Sequence, residues 1–196
     1  METSDSITEF WFGKEPDDAV TATTQARLWW AKDAAADQQI RTRFAATLAD
    51  AAQGKLATWE ATPDGRLALI LLCDQFPRNM YRATPQAFGY DAIALRLCKD
   101  GIERGDDLAL RPIERVFFYL PLEHSEALAD QQLAVAQYEK LAAERHKKIF
   151  DGFLDFARRH QEVIARFGRF PHRNAILGRA STEAELAFLA QPGSSF

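Results

Sequence analysis

The chain has 196 residues, of which 47% are hydrophobic and 27% charged, and its formal net charge is −4. This composition excludes wholesale disorder, and the length suits a single domain over residues 1–196. The acidic balance argues against a dedicated nucleic-acid-binding protein, which usually carries a strong positive excess.

The N-terminal segment and the apolar runs indicate whether the protein is exported or enters a membrane. Residues 1–5 are polar and acidic, without the basic start and apolar centre of a signal peptide. The longest apolar run, Leu67–Cys73, has seven residues, whereas a membrane-spanning helix needs about 20. We therefore expect a cytoplasmic protein that does not enter a membrane.

Helix signals begin close to the N-terminus. A short apolar helix over residues 7–12 is predicted to end at Gly13. The next helix has apolar residues spaced four, four and three apart, which places them on one face: Ile40, Phe44, Leu48 and Ala51.

The most apolar helix of the chain is predicted to start at Thr62 and Pro63. Threonine is a good N-cap, and proline at the first helical position loses no hydrogen bond. The helix is apolar on nearly all sides, so we expect it to be central in the fold. It should end near Phe76, because Pro77 disfavours helical geometry in the residue before it.

Further helix starts follow in the C-terminal half. They lie at Thr84–Pro85, Arg111–Pro112 and Ser125, and residues 146–166 form another helical stretch. Gly101 and Gly105 are predicted to mark the end of the helix after Pro85. A capping box predicts a last helix, at Thr182 and Glu185. No alternating segment is long enough for a strand, so the predicted fold is all-α.

Three segments carry polar and charged residues at places where the packing of a helical core does not require them. The first, residues 74–82, follows the most apolar helix, which should deliver its C-terminal end to an enclosed place. An alternative is that Asp74 and Arg78 simply pair with each other. The candidate ligand-binding residues in this segment are Asp74, Gln75, Arg78, Asn79 and Arg82.

The second polar segment spans residues 119–126. His124 is informative because histidine changes charge nearest neutral pH, and with Glu126 it could form an acid–base pair. The alternative is structural, since Ser125 can cap a helix and Glu126 suits the positive end of the helix dipole. Two ligands are too few for a zinc site, and the two cysteines have no CxxC partner, so no metal is predicted.

The third segment lies in a basic stretch. Residues 158–179 contain six Arg and one Glu, and Gly168 and Pro171 interrupt the helix there. The guanidinium group of arginine binds carboxylate or phosphate through two hydrogen bonds, so these arginines could hold an anionic ligand. The alternative is that they pair with acidic side chains elsewhere in the fold. The candidate ligand-binding residues are Arg169, His172, Arg173 and Asn174, and His172 is a further candidate for acid–base chemistry.

The chain resembles an uncharacterised, mainly bacterial family of all-helical proteins with a tetratricopeptide-like fold. The matching motifs are Phe10–Gly13, the Asp-Gln-Phe-Pro-Arg-Asn end of residues 67–82, and the blocks at 119–126 and 168–174. The resemblance implies a helical bundle or short solenoid of antiparallel helix pairs. It implies no activity, because the family is one of unknown function.

Two functions from different classes remain open. In the first, the polar segments converge on an Arg- and His-lined pocket for an anionic small molecule, with His124, Glu126 or His172 as the acid or base. In the second, the helices form a scaffold that binds a protein or peptide through Trp11, Trp29, Trp30 or Trp59. No nucleophile or phosphate-loop motif and no cofactor motif is present, and the sequence decides neither catalysis nor oligomeric state.

Overall fold

The computed structural model describes residues 2–145 and 148–194, and α-helices account for most of them. No strand occurs in these ranges, which confirms the all-α prediction. In chain order the helices are α1 (Ser4–Phe12), α2 (Asp18–Thr24), α3 (Ala26–Trp30), α4 (Ala34–Ala52), α5 (Pro63–Met80), α6 (Asp91–Arg104), α7 (Pro112–Glu123), α8 (Leu128–Arg145), α9 (Lys148–Phe167) and α10 (Glu183–Leu189).

Helix α5 is the centre of the molecule. It packs against α1, α4, α6 and α7, and every residue from Leu67 to Pro77 is buried. This confirms the central position predicted from its all-round apolar character. The remaining helices pack mainly on their neighbours in the chain, α7 on α8 and α8 on α9. The C-terminal end of α5 is thereby enclosed by later parts of the chain.

The predicted end of this helix near Phe76 is wrong, because α5 continues through Pro77 to Met80. An internal proline removes one helical hydrogen bond and costs roughly 3 kcal/mol. Here Phe76 is fully buried and its ring lies 4.7 Å from that of Phe44 and 5.5 Å from that of Trp11. Burial of this length of helix outweighs the local preference, and Tyr81 still donates to the Pro77 carbonyl at 2.9 Å.

The helix after Pro85 starts later than predicted and runs past Gly101. Residues Pro85–Phe88 form a 3₁₀ turn, and α6 runs from Asp91 to Arg104, with Gly105 as its C-cap, where a φ of 77° suits glycine. Gly101 lies inside α6. A Cβ at this position would come within 2.4 Å of Phe118 and 2.6 Å of Arg66, so only glycine fits here. This glycine serves close packing, and it does not end the helix.

Other boundaries differ by a few residues. Helix α8 starts at Leu128, while Ser125 still accepts a hydrogen bond from the Ala127 amide at 3.2 Å. Helices α2 and α3 were not predicted. The start expected at residue 146 lies outside the described residues. The last helix carries the predicted capping box, with Thr182 and Glu185 bonded reciprocally.

The tryptophans divide between core and surface. Trp11 and Trp29 are buried beside Phe117, and Trp59 is partly buried. Trp30 keeps 53% of its surface exposed. Cys73 and Cys98 are buried free thiols. None of the helices in the described ranges combines the length and apolar character needed to cross a lipid bilayer.

Candidate functional site

The three polar segments meet where the C-terminal ends of α5 and α7 face the turn after α9. We call the charged residues gathered there the polar cluster: Asp74, Arg78, Asp91, His124 and Arg173. Asp74 of α5 lies 2.8 Å from His124, and Arg173 lies 3.0 Å from the His124 carbonyl oxygen. Asp74 and Arg173, which are 99 positions apart in the chain, therefore both contact His124.

Asp74 and His124 form a hydrogen-bonded pair. Oδ1 of Asp74 contacts Nδ1 of His124, and the Asp74 side chain has no exposed surface. Burial alone would raise the pKa of Asp74, but the positive charge of Arg78 and the contact with His124 together lower it below its usual value. Asp74 is therefore a carboxylate, and it accepts a further hydrogen bond from Gln75 at 2.5 Å.

His124 is held as a neutral imidazole. Burial and the positive charge of Arg78 lower its pKa below the usual value, despite the opposing effect of Asp74. Because Asp74 is a carboxylate, the hydrogen of this neutral ring resides on Nδ1 and a lone pair resides on Nε2. The side chain keeps 15% of its surface exposed. The imidazole can thus accept a proton or a hydrogen bond at Nε2.

Arg78 is occupied by carboxylates. It forms a two-pronged pair with Asp91, at 2.9 Å and 3.1 Å, and lies 3.3 Å from Asp74. The predicted alternative, a pair between Asp74 and Arg78, is therefore part of the observed arrangement. Asp91 is contributed by the first turn of α6, and it holds that helix against α5.

Arg173 is the least compensated cation of the cluster. Its residue exposure is 6%, and within the described part of the chain its buried Nε has no hydrogen-bond partner. Nη1 donates to the His124 carbonyl at 3.0 Å and lies 3.8 Å from Asp91. Burial and the charge of Arg78 lower its pKa to about 10. The aromatic rings of Phe88 and Phe170 lie 4.8 Å and 4.5 Å from its Cζ.

A second buried pair lies beside the cluster. Oε1 of Glu123 lies 3.1 Å from Nδ1 of His160, and both side chains are almost fully buried. Burial, with the negative charge of Asp74, raises the pKa of Glu123 to about 8, whereas burial lowers the pKa of His160 to about 3. Both groups are therefore mainly neutral at neutral pH.

The other candidates of the second and third segments have structural partners. Glu126 does not contact His124 as an acid–base pair; it binds Arg179 at 2.7 Å and 2.9 Å and accepts from the Phe170 amide. Arg169 binds Glu185 at 2.6 Å and 2.8 Å. Asn174 donates to Ser181 and accepts from Arg179. Burial lowers the pKa of His172, whose ring is tilted against that of Phe170 with the centroids 5.6 Å apart, to about 4.

Two candidates of the first segment point away from the cluster. Asn79 donates to Asp37 of α4 at 2.9 Å, and Arg82 grips the same carboxylate with Nε and Nη2. Arg82 also reaches the Ala31 carbonyl oxygen. These contacts tie the C-terminal end of α5 to α4, so we assign Asn79 and Arg82 to the support of the fold.

Sequence reasoning missed three residues of this region. Asp91 lies in the first turn of α6, and no local signal links it to Arg78. Glu123 was within a polar segment but was not selected. His160 could have been found, because it falls on the buried face of α9 together with Leu154, Ala157 and Ile164. A histidine on an otherwise apolar face is a signal of a buried polar partner.

Among the described residues the cluster forms no metal site, and it does not line the cavity between α4, α5 and α6. In the described ranges, no three His, Cys, Asp or Glu side chains are arranged to hold a metal ion. A cavity of about 160 Å³ lies between α4, α5 and α6, and its lining includes Ala51, Leu56, Leu69, Cys73, Ile93 and Arg96. None of the cluster residues lines it.

Comparison with known proteins agrees with the fold and the resemblance noted above. A solved structure of a protein of unknown function from Agrobacterium tumefaciens, ATU0120, is 37% identical to this chain, with a TM-score of 0.76. The similarity covers 89% of this chain and 99% of that one. No curated protein matches the chain. Residues 7–193 match the family of bacterial proteins of unknown function DUF924, and the chain belongs to that family.

Proposed function

We propose that this protein binds a small anionic molecule at the polar cluster, with Arg173 as the residue that holds the anion. The observation that carries the proposal is the buried Nε of Arg173, which has no hydrogen-bond partner among the described residues. A buried, unpaired donor on a charged group costs free energy, so an anion bound there is strongly favoured. This narrows the site predicted from the sequence to one arginine.

The neighbouring arginines support this choice because the guanidinium group of each one already binds a carboxylate of this chain. Arg78 binds Asp91, Arg169 binds Glu185 and Arg179 binds Glu126, each through two hydrogen bonds. The alternative predicted from the sequence, that arginines meet acids within the fold, therefore fits these three. Arg173 differs from them, because its nearest carboxylate oxygen is 3.8 Å away.

His124 gives the proposed site a group that can accept a proton. Its Nδ1 is engaged by Asp74, so the ring is oriented and Nε2 carries the lone pair. Asp74 would act as a positioning residue, as the carboxylate behind a catalytic histidine does in other enzymes. If the bound molecule has an acidic proton near the anion, His124 would be its general base.

Native mass spectrometry tests the proposal on protein purified gently from cells. We expect a retained small adduct, absent after denaturation, that is lost in Arg173→Ala. The matched control is Arg96→Ala, since Arg96 is exposed and bound to Glu60 and Asp100 on α6. Wild-type protein that gains no mass from any small anion offered in excess would contradict the proposal.

A protein- or peptide-binding scaffold is the second candidate. It is favoured by the exposed indole of Trp30, which lies 6.1 Å from the ring of Phe153 on α9. The burial of Trp11 and Trp29 leaves Trp30 as the strongest of the predicted anchors. A specific partner should bind wild-type protein and Trp59→Ala equally but be lost with Trp30→Ala, as measured by affinity capture and titration of the purified partner.

The tetratricopeptide-like repeat stays a prediction. It is supported by the packing of successive helices, α4 on α5, α7 on α8 and α8 on α9. A repeat of this kind fits either proposed function, because fold does not determine function.

A further inference from the structure

We infer that the anion bound at Arg173 is a carboxylate carrying a single negative charge, gripped edge-on by Nε and Nη2 of the guanidinium group. This inference rests on the proposed function and names its ligand class. It follows from the free edge of the guanidinium group, the charges around it, the rings that cover it and its near-complete burial.

The free edge of the Arg173 guanidinium group has the geometry that binds a carboxylate through two parallel hydrogen bonds. Among the described residues, Arg173 donates through Nη1 alone, to the His124 carbonyl oxygen. Nε and Nη2 form the opposite edge, whose two parallel N–H groups match the two oxygens of a carboxylate. Arg82 shows the same grip within this protein, since its Nε and Nη2 hold the Asp37 carboxylate.

The surrounding charges limit the ligand to one negative charge. The cluster holds two cations, Arg78 and Arg173, and two carboxylates, Asp74 and Asp91. The charge of Arg78 is already compensated by Asp91, through Nη1 and Nη2, and by Asp74, through Nη1. A doubly charged phosphate would add repulsion from Asp91, which lies 3.8 Å from Nη1 of Arg173, without gaining a second cation.

Two aromatic rings favour a planar group over a tetrahedral one. Phe88 and Phe170 lie 4.8 Å and 4.5 Å from Cζ of Arg173, so the guanidinium group is covered by ring faces. A carboxylate lies in the guanidinium plane when both its oxygens accept hydrogen bonds. The remaining oxygens of a phosphate or sulfate project out of that plane towards the negative faces of the rings.

Arg173 and the neighbouring His124 are nearly enclosed. Arg173 is 6% exposed and the His124 side chain 15% exposed, and this burial favours a small group as the partner of Nε. The carboxylate would supply the hydrogen-bond acceptor that Nε of Arg173 lacks. The rest of the ligand would extend towards solvent past the His124 imidazole.

The test follows the Arg173 Nε–H signal in ¹H–¹⁵N spectra of the full chain, assigned by its loss in Arg173→Lys. Sodium acetate, sodium phosphate and sodium chloride are titrated at equal ionic strength and neutral pH. We expect a saturable shift with acetate and at least a tenfold weaker response to phosphate. Arg173→Lys, read on the His124 ring signals, should lose the acetate response, whereas Arg96→Lys should keep it.

The outcomes separate this inference from the proposed function. Saturation by phosphate with no response to acetate would overturn the carboxylate assignment and leave anion binding at Arg173 standing. No saturable response to either anion would overturn both. If Arg173→Lys fails to fold, selectivity for acetate over phosphate, read on the His124 ring signals of the wild-type protein, decides the question.

Discussion

Nδ1 of His124 lies 2.8 Å from Oδ1 of Asp74, a carboxylate with no exposed surface that also faces Arg78 at 3.3 Å. Asp74→Asn would remove one of the two carboxylates that face the partly buried guanidinium group of Arg78, and with it the anionic partner of His124. Because removing one member of a buried charge pair is strongly destabilising, we expect a loss of roughly 3–5 kcal/mol in the free energy of unfolding. Urea denaturation at neutral pH measures it.

The matched control for this change is Asp100→Asn on the surface of α6. Asp100 also pairs with an arginine, Arg96 at 3.0 Å, but both side chains are about half exposed. Exposed pairs contribute roughly 0–1 kcal/mol, so the control should stay close to wild type. Equal effects of the two substitutions would show that burial of Asp74 has no energetic importance.

Stability should fall between pH 6.5 and pH 8 because of Glu123. Burial raises its pKa from 4.5 to about 8, so in this window the folded state retains a proton that the unfolded state has already released at lower pH. The free energy of unfolding then decreases with pH, by up to about 1.4 kcal/mol per unit. His160 acts in the opposite direction only below pH 6.5, since its pKa is lowered from 6.5 to about 3.

Glu123→Gln isolates this effect, because glutamine has nearly the same shape and stays neutral. The variant's free energy of unfolding should remain level from pH 6.5 to pH 8, the window set by the ordinary histidine pKa and the raised pKa of Glu123. Glu139→Gln is the control, since Glu139 is exposed on α8 and paired with Arg158, and it should keep the wild-type slope. A level wild-type profile would refute a buried neutral Glu123.

Arg82→Ala should weaken the fold without affecting anion binding. Arg82 binds the Asp37 carboxylate between α5 and α4, and its side chain is 34% exposed. We expect a loss of about 1 kcal/mol in the free energy of unfolding, as for a partly exposed pair. Acetate titration followed by NMR should match wild type. A lost acetate response would place Arg82 in the site after all.

Two helical glycines should respond to alanine in opposite directions. A Cβ at Gly101 would come within 2.4 Å of the buried ring of Phe118, whereas a Cβ at Gly152 of α9 would meet nothing within 4 Å. Gly101→Ala should therefore lose roughly 1–3 kcal/mol through overpacking, despite the better helix propensity of alanine. Gly152→Ala should gain roughly 0.5–1 kcal/mol. Thermal unfolding of both variants checks the signs.

The helical character of this chain could be predicted from local sequence. Thr62–Pro63, the capping box at Thr182 and Glu185, and the stop at Gly13 depend on residues within one turn of helix, and the structure has each of them. The central position of α5 also followed from its apolar surface. At Pro77 the local preference failed, because burial of the whole helix outweighed one missing hydrogen bond.

The polar segments themselves were visible in the sequence, but their pairing was not. The partners lie far apart along the chain: Arg82 with Asp37, Arg78 with Asp91, and Arg179 with Glu126. An ion pair depends on distance in space, which no local pattern encodes. Sequence alone therefore determined an all-α fold with three unusual polar segments. Only the tertiary structure decided that most of the arginines are neutralised within the fold, while Arg173 is buried with a free edge beside His124.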